Sequence, residues 1–438
     1  MTDLTLRIAE SDVATLRIAG SDVATLRIAT AGSVDDGKST LIGRLLHDTK
    51  TVFEDQLAAV EKASRRYGDG EVNLALLTDG LRAEREQGIT IDVAHRYFAT
   101  PKRSFIVADT PGHSQYTRNM VTGASTADVA IVLVDARHGV LEQTRRHSFI
   151  ASLLGVRAIA LAVNKMDLVQ WDQAEFDVIA KEVHGYVESL PTPVPVVAFP
   201  ISALNGDNVV EPSTSSPWYD GPTLLEWLES FDAETVEAVS TTSSAVVRLD
   251  VQRVIRPQGS DYRGFAGQLA GGPLSVGDTV TVLPAGLTTT VSGLQRFGRE
   301  IASAIPGQAI TVSLAENLDV ARGDVLVAGD VPSTESVAGH VCWMVDQPLR
   351  AGGRYWFKHG TRVGRATVES IEYRHDLHSL EPIAATEVAL NDLAMIRLSL
   401  SEPIVAQPYE VSRVGGRLIL IDEATNTTAG AMMIVGTR

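Results

Sequence analysis

The stretch Gly32-Ser33-Val34-Asp35-Asp36-Gly37-Lys38-Ser39 decides how the first half of the chain folds. It matches the pattern G-x-x-x-x-G-K-[ST] and lies between an apolar run at residues 26–31 and a helical segment at residues 40–46. In such a loop, glycines let backbone N–H groups close around phosphates, the lysine adds positive charge, and the hydroxyl ligates Mg²⁺. The pattern predicts a phosphate-binding P-loop between a strand and a helix.

Apolar strands alternate with helical segments from residue 25 to about residue 231. This alternation is typical of a parallel sheet with helices on both faces. A short amphipathic helix that contains Leu224, Leu225, Trp227 and Leu228 is expected near the end of this region. The predicted strands are residues 26–31, 104–109, 129–135, 158–164 and 196–200.

The pattern changes after residue 245 to short β-branched runs separated by glycines, which indicates small antiparallel barrels. The predicted strands there include residues 246–254, 279–283, 309–314, 339–345 and 395–400. We therefore predict a multi-domain protein: an α/β P-loop domain followed by two small antiparallel β-barrels. The assigned boundaries are 25–232 for the P-loop domain, 233–244 for a linker, 245–331 for the first barrel and 332–438 for the second.

The N-terminus contains a direct repeat, in which residues 5–14 and 15–24 differ only where Glu10 becomes Gly20. Solenoid repeats have longer periods and need at least three full units to bury a core. We expect residues 1–24 to be a duplicated leader, disordered or artificially introduced, with no part in the fold.

Composition excludes several classes of protein. Hydrophobic residues make up 44% of the chain and charged residues 21%, as in soluble globular proteins, and no apolar run approaches the ~18 residues that cross a bilayer. Asp3, Glu10 and Asp12 fall where a secretory signal would have its apolar core, so we expect a cytoplasmic protein. A net charge of -16 argues against nucleic-acid binding through a general basic face.

The cysteine, His375 and His378 do not indicate a disulfide, a thiolate cluster or a metal site. The single cysteine, Cys342, excludes an internal disulfide or a thiolate cluster, and we expect it to be a buried apolar residue. His375 and His378 are expected to form an exposed pair rather than a metal site.

A second motif, Asp109-Thr110-Pro111-Gly112, follows a predicted strand. The carboxylate emerges at the end of that strand, where it can hold Mg²⁺ through water, and Gly112 can approach the γ-phosphate. Alone, an Asp-x-x-Gly sequence is more often a turn. Its pairing with a P-loop favours the functional interpretation.

Two further motifs indicate which base is bound. Asn164-Lys165-Met166-Asp167 follows the strand at residues 158–164, and Asp167 can accept hydrogen bonds from the N1 and N2 donors that guanine has and adenine lacks. Ser202-Ala203-Leu204 follows the next strand and can offer a backbone N–H to the guanine oxygen. Together they predict a GTP site rather than an ATP site.

Two residues are candidates for the hydrolysis step itself. Thr90 lies between the P-loop and Asp109, in a segment that can cap Mg²⁺ when a γ-phosphate is present and release it afterwards. His113 directly follows Gly112, where an imidazole can orient the attacking water. The candidate catalytic residues are His113, Lys38 and Thr90, and the candidate metal ligands are Ser39, Thr90 and Asp109. The candidate GTP-binding residues are Gly32, Ser33, Val34, Asp35, Asp36, Gly37, Lys38, Ser39, Thr40, Asp109, Gly112, Asn164, Lys165, Asp167, Ser202, Ala203 and Leu204.

Taken together, these motifs resemble the translational GTPases of the elongation factor Tu type. Gly88-Ile89-Thr90 and Asn119-Met120 add to the likeness, and so does the glycine spacing around Arg263-Gly264 and Arg322-Gly323-Asp324 in the first predicted barrel. Other details resemble the GTPase (large) subunits of bacterial two-subunit ATP sulfurylases. These are Asp36 before Gly37, where translation factors usually carry histidine, and the segments at residues 78–87, 115–120, 135–139 and 142–147.

The narrower resemblance implies a GTP-hydrolysing subunit of sulfate adenylyltransferase. Its hydrolysis would be coupled to formation of adenosine 5′-phosphosulfate and pyrophosphate from ATP and sulfate, and adenylyl transfer would take place on a small partner subunit. GTP and Mg²⁺ are the implied cofactors. No second P-loop follows residue 240, so the C-terminal kinase of some relatives is not expected here. Two other classes stay open: an elongation-factor-like carrier of aminoacyl-tRNA, and a regulatory switch with slow hydrolysis.

Overall fold

The computed structural model of the protein describes residues 25–51, 74–77, 92–113, 117–232, 246–259 and 261–437. They belong to two compact units, Met1–Ala233 and Glu234–Arg438. The predicted leader and linker lie outside the described residues.

A mixed six-stranded sheet forms the centre of the N-terminal unit. Its strands are β1 (Thr25–Ala31), β2 (Ala94–Ala99), β3 (Ser104–Asp109), β4 (Val129–Asp135), β5 (Ala158–Asn164) and β6 (Val196–Pro200). Their order is β2-β3-β1-β4-β5-β6, and all neighbours pair in parallel except β2, which runs antiparallel to β3. Every residue of β4 and β5 is buried, as expected for central strands covered on both faces. Four predicted strands have the observed bounds, and β1 begins one residue before the prediction.

Helices alternate with the strands of this sheet along the chain. They are α1 (Lys38–Asp48), α2 (Thr117–Ala124), α3 (Glu142–Leu153), α4 (Gln173–Glu188) and α5 (Leu224–Ser230), with single 3₁₀ turns at Leu74–Leu77 and Met166–Val169. Leu41, Ile42 and Leu45 of α1 lie in the same apolar cluster as the inward residues of the sheet. The predicted short helix is confirmed as α5, which begins with a reciprocal pair of Thr223–Glu226 hydrogen bonds of 2.9 and 3.2 Å.

The strand order predicts a ligand site above the carboxyl end of β1. After β1, the chain forms β2 and β3 on one side of this strand and then β4 on its other side. The strand order therefore reverses at β1. Ligands of open α/β sheets bind at such a reversal, outside the carboxyl ends of the strands. The register aligns Thr30 with Asp109 and Asp135 with Asn164, which brings polar strand ends to this edge.

The C-terminal unit contains two closed antiparallel barrels of six strands each. The first barrel runs β11-β16-β7-β9-β15-β12 and closes by pairing of β12 with β11. Its strands, with the short pieces that flank them, are β7 (Val247–Asp250), β8 (Arg253–Ile255), β9 (Gly264–Ala270), β10 (Leu274–Ser275), β11 (Thr279–Leu283), β12 (Leu287–Arg296), β13 (Arg299–Ile301), β14 (Ser303–Ala304), β15 (Ala309–Leu314) and β16 (Val325–Ala328).

The second barrel runs β19-β24-β25-β17-β23-β20 and closes through β19 and β20. Its elements are β17 (Ser333–Trp343), β18 (Leu349–Arg350), β19 (Arg354–His359), β20 (Arg362–His375), β21 (Pro382–Ile383), β22 (Glu387–Val388), β23 (Leu393–Val405), α6 (Arg413–Gly416), β24 (Arg417–Ile421) and β25 (Thr428–Thr437). Trp343, Phe357 and Leu398 are among the side chains that fill its core. The predicted fold class, an α/β domain followed by two β-barrels, is confirmed.

Several predicted strand bounds in the barrels are wrong. The run at residues 246–254 is two strands, β7 and β8, and the strands predicted at 339–345 and 395–400 are the longer β17 and β23. Long barrel strands alternate inward apolar and outward polar residues, so an apolar run marks only part of each strand.

The expectation for His375 is also wrong, because His375 is buried at the end of β20. Its Nε2 lies 3.2 Å from Nδ1 of His340, and its ring packs edge-on against Tyr373. His378 follows in an exposed turn. The expectation for Cys342 is confirmed, since this thiol is buried in β17.

None of the helices in the described part of the chain combines the length and the apolar composition that a membrane span requires.

Candidate nucleotide-binding site

The P-loop leaves β1 and turns into α1 at Gly37, at the strand reversal. Gly37 is the N-cap of α1 with φ 96°, and a Cβ at this position would overlap Nδ2 of Asn164. Both the backbone conformation and the close approach therefore require glycine. The first N–H groups of the 11-residue helix and its dipole give this end partial positive charge, which favours bound phosphate.

Hydrogen bonds within the loop hold its shape. The Ser33 N–H donates to Oδ2 of Asp36 at 2.5 Å, and Nζ of Lys38 donates to the carbonyl oxygens of Gly32 and Ser33 at 3.0 and 2.6 Å. Lys38 is buried, and this burial lowers the pKa of its ammonium group, although the carboxylates of Asp36 and Asp109 act in the opposite direction. A desolvated cation at the start of the helix is placed to meet phosphate charge.

The second motif lies directly against the P-loop. A Cβ on Gly112 would lie 2.6 Å from the carbonyl oxygen of Gly32 and would overlap Nζ of Lys38. The Thr110 hydroxyl donates to the carbonyl oxygen of Thr30, which fixes the end of β3 to β1. His113, the next residue after Gly112, is half-buried beside this contact.

Oxygen donors for a divalent cation lie at the same edge. Asp109 is the buried last residue of β3, and Oγ1 of Thr30 lies 3.4 Å from its Oδ1. Ser39 is the second residue of α1. A hydroxyl and a carboxylate are hard ligands of the kind that Mg²⁺ prefers. Among the described residues, no three His, Cys, Asp or Glu side chains form a separate metal cluster.

Asn164 connects the P-loop to the segment after β6. Its Nδ2 donates to the carbonyl oxygen of Asp36 at 2.7 Å, and its Oδ1 accepts from the N–H of Ala203 at 2.9 Å. The side chain is therefore a structural bridge between the P-loop and the segment Ser202-Ala203-Leu204.

Lys165 forms a second connection on the same side. Its Nζ donates to the carbonyl oxygen of Asp35 at 2.5 Å and lies 2.9 Å from Oδ2 of Asp135. Burial acts to raise the pKa of Asp135, but hydrogen bonds from Arg137 and Lys165 outweigh it and hold this pKa well below its ordinary value. Asp135 thus stays ionised and fixes the Lys165 stem against the loop.

The segment Ser202-Ala203-Leu204 is held in place by Arg44 of α1. Nε of Arg44 donates to the carbonyl oxygen of Ala203 at 3.3 Å, and its Nη2 donates to that of Leu204. The N–H of Ser202 donates to the carbonyl oxygen of Asp207 and that of Ala203 to Asn164, whereas the N–H of Leu204 donates to none of the described residues. Asp167 is half-buried in the 3₁₀ turn that follows β5.

A buried histidine forms a hydrogen bond to the backbone of the P-loop. Nδ1 of His147, on α3, accepts the Gly32 N–H at 3.0 Å. Burial, together with the nearby charges of Lys38 and Arg146, lowers the pKa of His147 to about 3, so the imidazole stays neutral and Nδ1 stays an acceptor. This contact joins α3 to the first residue of the P-loop.

Two family models match the chain. The elongation factor Tu GTP binding domain matches residues 24–256, and the GTP-eEF1A C-terminal domain-like family matches residues 336–435. Sulfate adenylyltransferase subunit 1 of Aeromonas hydrophila is 52% identical over 93% of this chain and 85% of its own length. The chain belongs to the sulfate adenylyltransferase subunit 1 family, among the GTPases of the elongation factor Tu type. The predicted family is thereby confirmed.

Other members of this family are similarly close. Sulfate adenylyltransferase subunit 1 of Tolumonas auensis is 51% identical over 93% of this chain and 85% of its own. A protein of Mycobacterium tuberculosis named bifunctional enzyme CysN/CysC is 51% identical over 93% of this chain and 66% of its own.

The structure brings most of the candidate residues of this family member to one edge of the sheet. The P-loop, Asp109, Gly112 and the two base motifs meet through the contacts described above. The prediction for Thr90 lies outside the described residues. Sequence reasoning assigned no role to His147, Arg44 and Asp135, because their contacts are tertiary. The sequence signals for two of them were the position of Asp135 at the end of a predicted strand and the occurrence of Asp135 and His147 in segments that resemble the family.

Proposed function

We propose that this chain is the GTP-hydrolysing subunit of a two-subunit sulfate adenylyltransferase. GTP hydrolysis on this chain drives formation of adenosine 5′-phosphosulfate and pyrophosphate from ATP and sulfate, while a small partner subunit carries out adenylyl transfer. The observation that carries the proposal is the 52% identity to a sulfate adenylyltransferase subunit 1 over nearly the whole chain. Because both nucleotides are cytoplasmic metabolites, we place the complex in the cytoplasm.

The coupling of GTP hydrolysis to adenylylation of sulfate has a chemical reason. Adenylylation of sulfate forms a phosphate–sulfate anhydride, which makes the reaction with ATP alone unfavourable. A second, favourable hydrolysis linked to the same cycle pulls the product forward. The division of labour agrees with a sequence that offers one P-loop within its α/β domain.

The phosphates of GTP bind at the P-loop and the start of α1. Residues 32–40 supply the backbone N–H groups, and Lys38 supplies positive charge whose attraction to phosphate is stronger in a buried, low-dielectric setting. Ser39 and Asp109, with Thr90, would hold Mg²⁺, which would neutralise phosphate charge. Their oxygen donors fit this ion.

His113 orients the attacking water. Gly112 lies against Gly32 and Lys38, so the next residue is within reach of the γ-phosphate. The half-buried imidazole of His113 can hold a water in line with that phosphate, and Lys38 stabilises the charge that develops on it.

Guanine is recognised at the other side of the site. The carboxylate of Asp167 accepts from N1 and N2 of the base, and the N–H of Leu204 donates to O6. Asn164, Lys165, Ser202 and Ala203 hold these groups in position through the contacts to Asp35, Asp36 and one another.

The proposal is tested by GTP turnover of the purified full chain. Turnover is expected to rise when the small subunit, ATP and sulfate are all present, and to stay low when one of them is omitted. Equal turnover across all these mixtures would contradict the proposal. GTP-dependent retention of charged tRNA on a filter would instead indicate an elongation-factor-like carrier.

The domain boundaries at residues 25–232, 245–331 and 332–438 remain part of this proposal. Limited proteolysis is expected to cut first within residues 233–244, and a first cut inside a barrel strand would contradict the assignment.

A further inference from the structure

The segment Ser202-Ala203-Leu204 keeps one backbone N–H group for a ligand. The N–H of Ala203 is taken by Oδ1 of Asn164 at 2.9 Å, whereas the N–H of Leu204 donates to none of the described residues. Under the proposed function, the Leu204 N–H is the donor to O6 of guanine. The direction of this one group therefore affects how tightly the base is bound.

The direction of the Leu204 N–H is set by the carbonyl group of Ala203. Both groups belong to one trans peptide unit, which is planar, so the N–H points away from the carbonyl oxygen. Nε of Arg44 donates to this oxygen at 3.3 Å, and Nη2 of the same guanidinium donates to the carbonyl oxygen of Leu204. Arg44 thus fixes the two peptide units on either side of the Leu204 α-carbon.

The charge of Arg44 also makes the Leu204 N–H a better donor. A hydrogen bond from a cation is about twice as strong as a neutral one. It polarises the peptide unit that accepts it, and the N–H on the opposite side of that unit gains donor strength. The Arg44 side chain is only 18% exposed, so water screens this effect little.

Neighbouring residues hold the guanidinium of Arg44 in place. Its Nη1 donates to Oδ1 of Asp48 at 3.4 Å, one turn further along α1. Gly206, with φ 91°, lies against the arginine stem, where an added Cβ would come within 3.3 Å of Cδ. The N–H of Gly206 donates to the carbonyl oxygen of Ser202 at 2.7 Å. Arginine and segment are therefore fixed together before a base binds, which reduces the entropy lost on binding.

Helix α1 connects this arginine to the phosphate-binding end of the site. The helix begins at Lys38, and Arg44 lies six residues further along, about 9 Å away at the rise of an α-helix. Within the described residues, the side-chain hydrogen bonds of Arg44 reach Ala203, Leu204 and Asp48. Loss of this side chain should therefore act on the base and not on the phosphates.

We propose that Arg44 is a positioning residue for guanine recognition, which directs the Leu204 N–H at O6 of the base. It acts through the backbone of the segment and does not contact the nucleotide. The inference rests on the proposed function, because it takes guanine as the bound base. It assigns part of the selectivity for guanine to a residue of α1, outside the two base motifs.

The test measures binding of three nucleoside diphosphates, which are not hydrolysed during a titration, to the full chain and to Arg44→Ala. GDP and inosine diphosphate both present O6, whereas 6-thioguanosine diphosphate carries at this position a sulfur atom, a weak acceptor. Arg44→Ala is expected to bind GDP and inosine diphosphate about 10-fold more weakly, as for the loss of one hydrogen bond. Its affinity for 6-thioguanosine diphosphate should fall less than about 3-fold, because the bond that Arg44 supports is already weak there.

Arg103→Ala is the matched control. Arg103 is buried and also donates to two backbone carbonyl oxygens, those of Leu228 and Phe231. It precedes the first residue of β3, whereas the nucleotide site lies at the carboxyl ends of the strands. Its loss should lower the free energy of unfolding and leave the ratio of the GDP and 6-thioguanosine diphosphate affinities unchanged.

Arg44→Lys provides a second variant in case Arg44→Ala does not fold. Lysine keeps the charge but lacks the planar fork that reaches two carbonyl groups. The same order of losses is expected, with GDP and inosine diphosphate affected more than 6-thioguanosine diphosphate. Equal losses for all three nucleotides would contradict the proposal in this variant too.

The outcomes separate this inference from the proposed function. Equal losses for all three nucleotides in Arg44→Ala, or wild-type affinity for GDP, would overturn the role of Arg44 while the proposed function stands. A change in the affinity ratio for Arg103→Ala as large as for Arg44→Ala would overturn it as well. If the wild-type chain binds GDP and 6-thioguanosine diphosphate equally, O6 is not recognised, and the proposed guanine contact of Leu204 is wrong together with the inference.

Discussion

The role in hydrolysis that we propose for His113 rests on the position of this residue next to Gly112. Gly112 itself lies against the P-loop carbonyl of Gly32 and the ammonium group of Lys38. We expect His113→Ala to reduce GTP turnover by ~10² or more, because a positioned acid–base or water-orienting group contributes on this order. GTP affinity should stay near normal. Single-turnover hydrolysis and a binding titration separate the two effects, and unchanged turnover would remove His113 from the mechanism.

His147 gives a second prediction at this scale, on stability rather than chemistry. His147→Leu removes the acceptor of the Gly32 N–H and leaves that donor buried without a partner. The expected loss is about 1–3 kcal/mol in the free energy of unfolding, with weaker GTP binding because the first P-loop residue is no longer fixed.

Asparagine supplies the matched control for this change. The side-chain oxygen of His147→Asn can reach the place of Nδ1, so this variant should lose much less stability than His147→Leu. Urea unfolding and a GTP titration measure both quantities. Equal effects of the two substitutions would show that the hydrogen bond to Gly32 is not what matters.

Individual site residues were predictable only where chemistry follows a local pattern. The P-loop, Asp109 and the Asn164–Asp167 motif each follow an apolar strand, so spacing alone places them at the carboxyl edge of a sheet. His147 and Gly32 are 115 residues apart, and the residues around His147 show no local feature that reveals the contact. The burial of His375 could not be predicted because β20, the strand that ends at this residue, mixes polar and apolar residues.

At the scale of elements, helix α4 contains a glycine that has no structural use. Gly185 is exposed, and a Cβ there would meet nothing within 4 Å. Because glycine costs a helix about 1 kcal/mol relative to alanine, Gly185→Ala is expected to stabilise the N-terminal unit by ~0.5–1 kcal/mol. The midpoint of urea unfolding measures this gain. As a contrasting variant, Gly37→Ala should be destabilising, since its methyl would overlap Asn164; a lower midpoint for Gly185→Ala would contradict the expectation.

Strands were predictable to different degrees for a physical reason. β4 and β5 are buried on both faces, so nearly all their residues are apolar and their bounds can be read from the sequence. Barrel strands such as β17 begin with polar residues and become apolar later, which hides their starts. Each barrel also depends on pairing between distant segments, such as β7 with β16 and β17 with β25, which no local pattern encodes.

At the scale of the whole molecule, buried histidines predict acid sensitivity. Burial lowers the pKa of His147 to about 3 and those of His359 and His375 to about 4, from an ordinary 6.5. Between about 6.5 and these values the unfolded chain binds protons that the folded chain does not. The contribution of these histidines to the free energy of unfolding is therefore fully present above about pH 6.5. It decreases as the pH falls, with a slope of up to about 1.4 kcal/mol per pH unit for each histidine.

Urea unfolding at neutral pH and at about pH 5 tests this expectation. The free energy of unfolding should be clearly lower at the acidic pH, and His375→Gln should reduce the difference because one titrating group is removed. Equal stability at the two pH values, or a difference that His375→Gln leaves unchanged, would contradict the assignment of these neutral imidazoles.

The central claim is that GTP bound at this site drives adenylyl transfer on the partner, and Asp167 allows a direct test. Guanine presents two donors to its carboxylate, whereas xanthine presents one donor and one carbonyl oxygen, which match the amide of Asp167→Asn. The measurement is the rate of adenosine 5′-phosphosulfate formation by the complex of the full chain with the small subunit, supplied with GTP or with xanthosine triphosphate. In the variant we expect the rate of product formation with GTP to fall at least ~100-fold. Xanthosine triphosphate is expected to restore product formation. Product formation that still follows GTP, or xanthosine triphosphate hydrolysis without product, would contradict the claim.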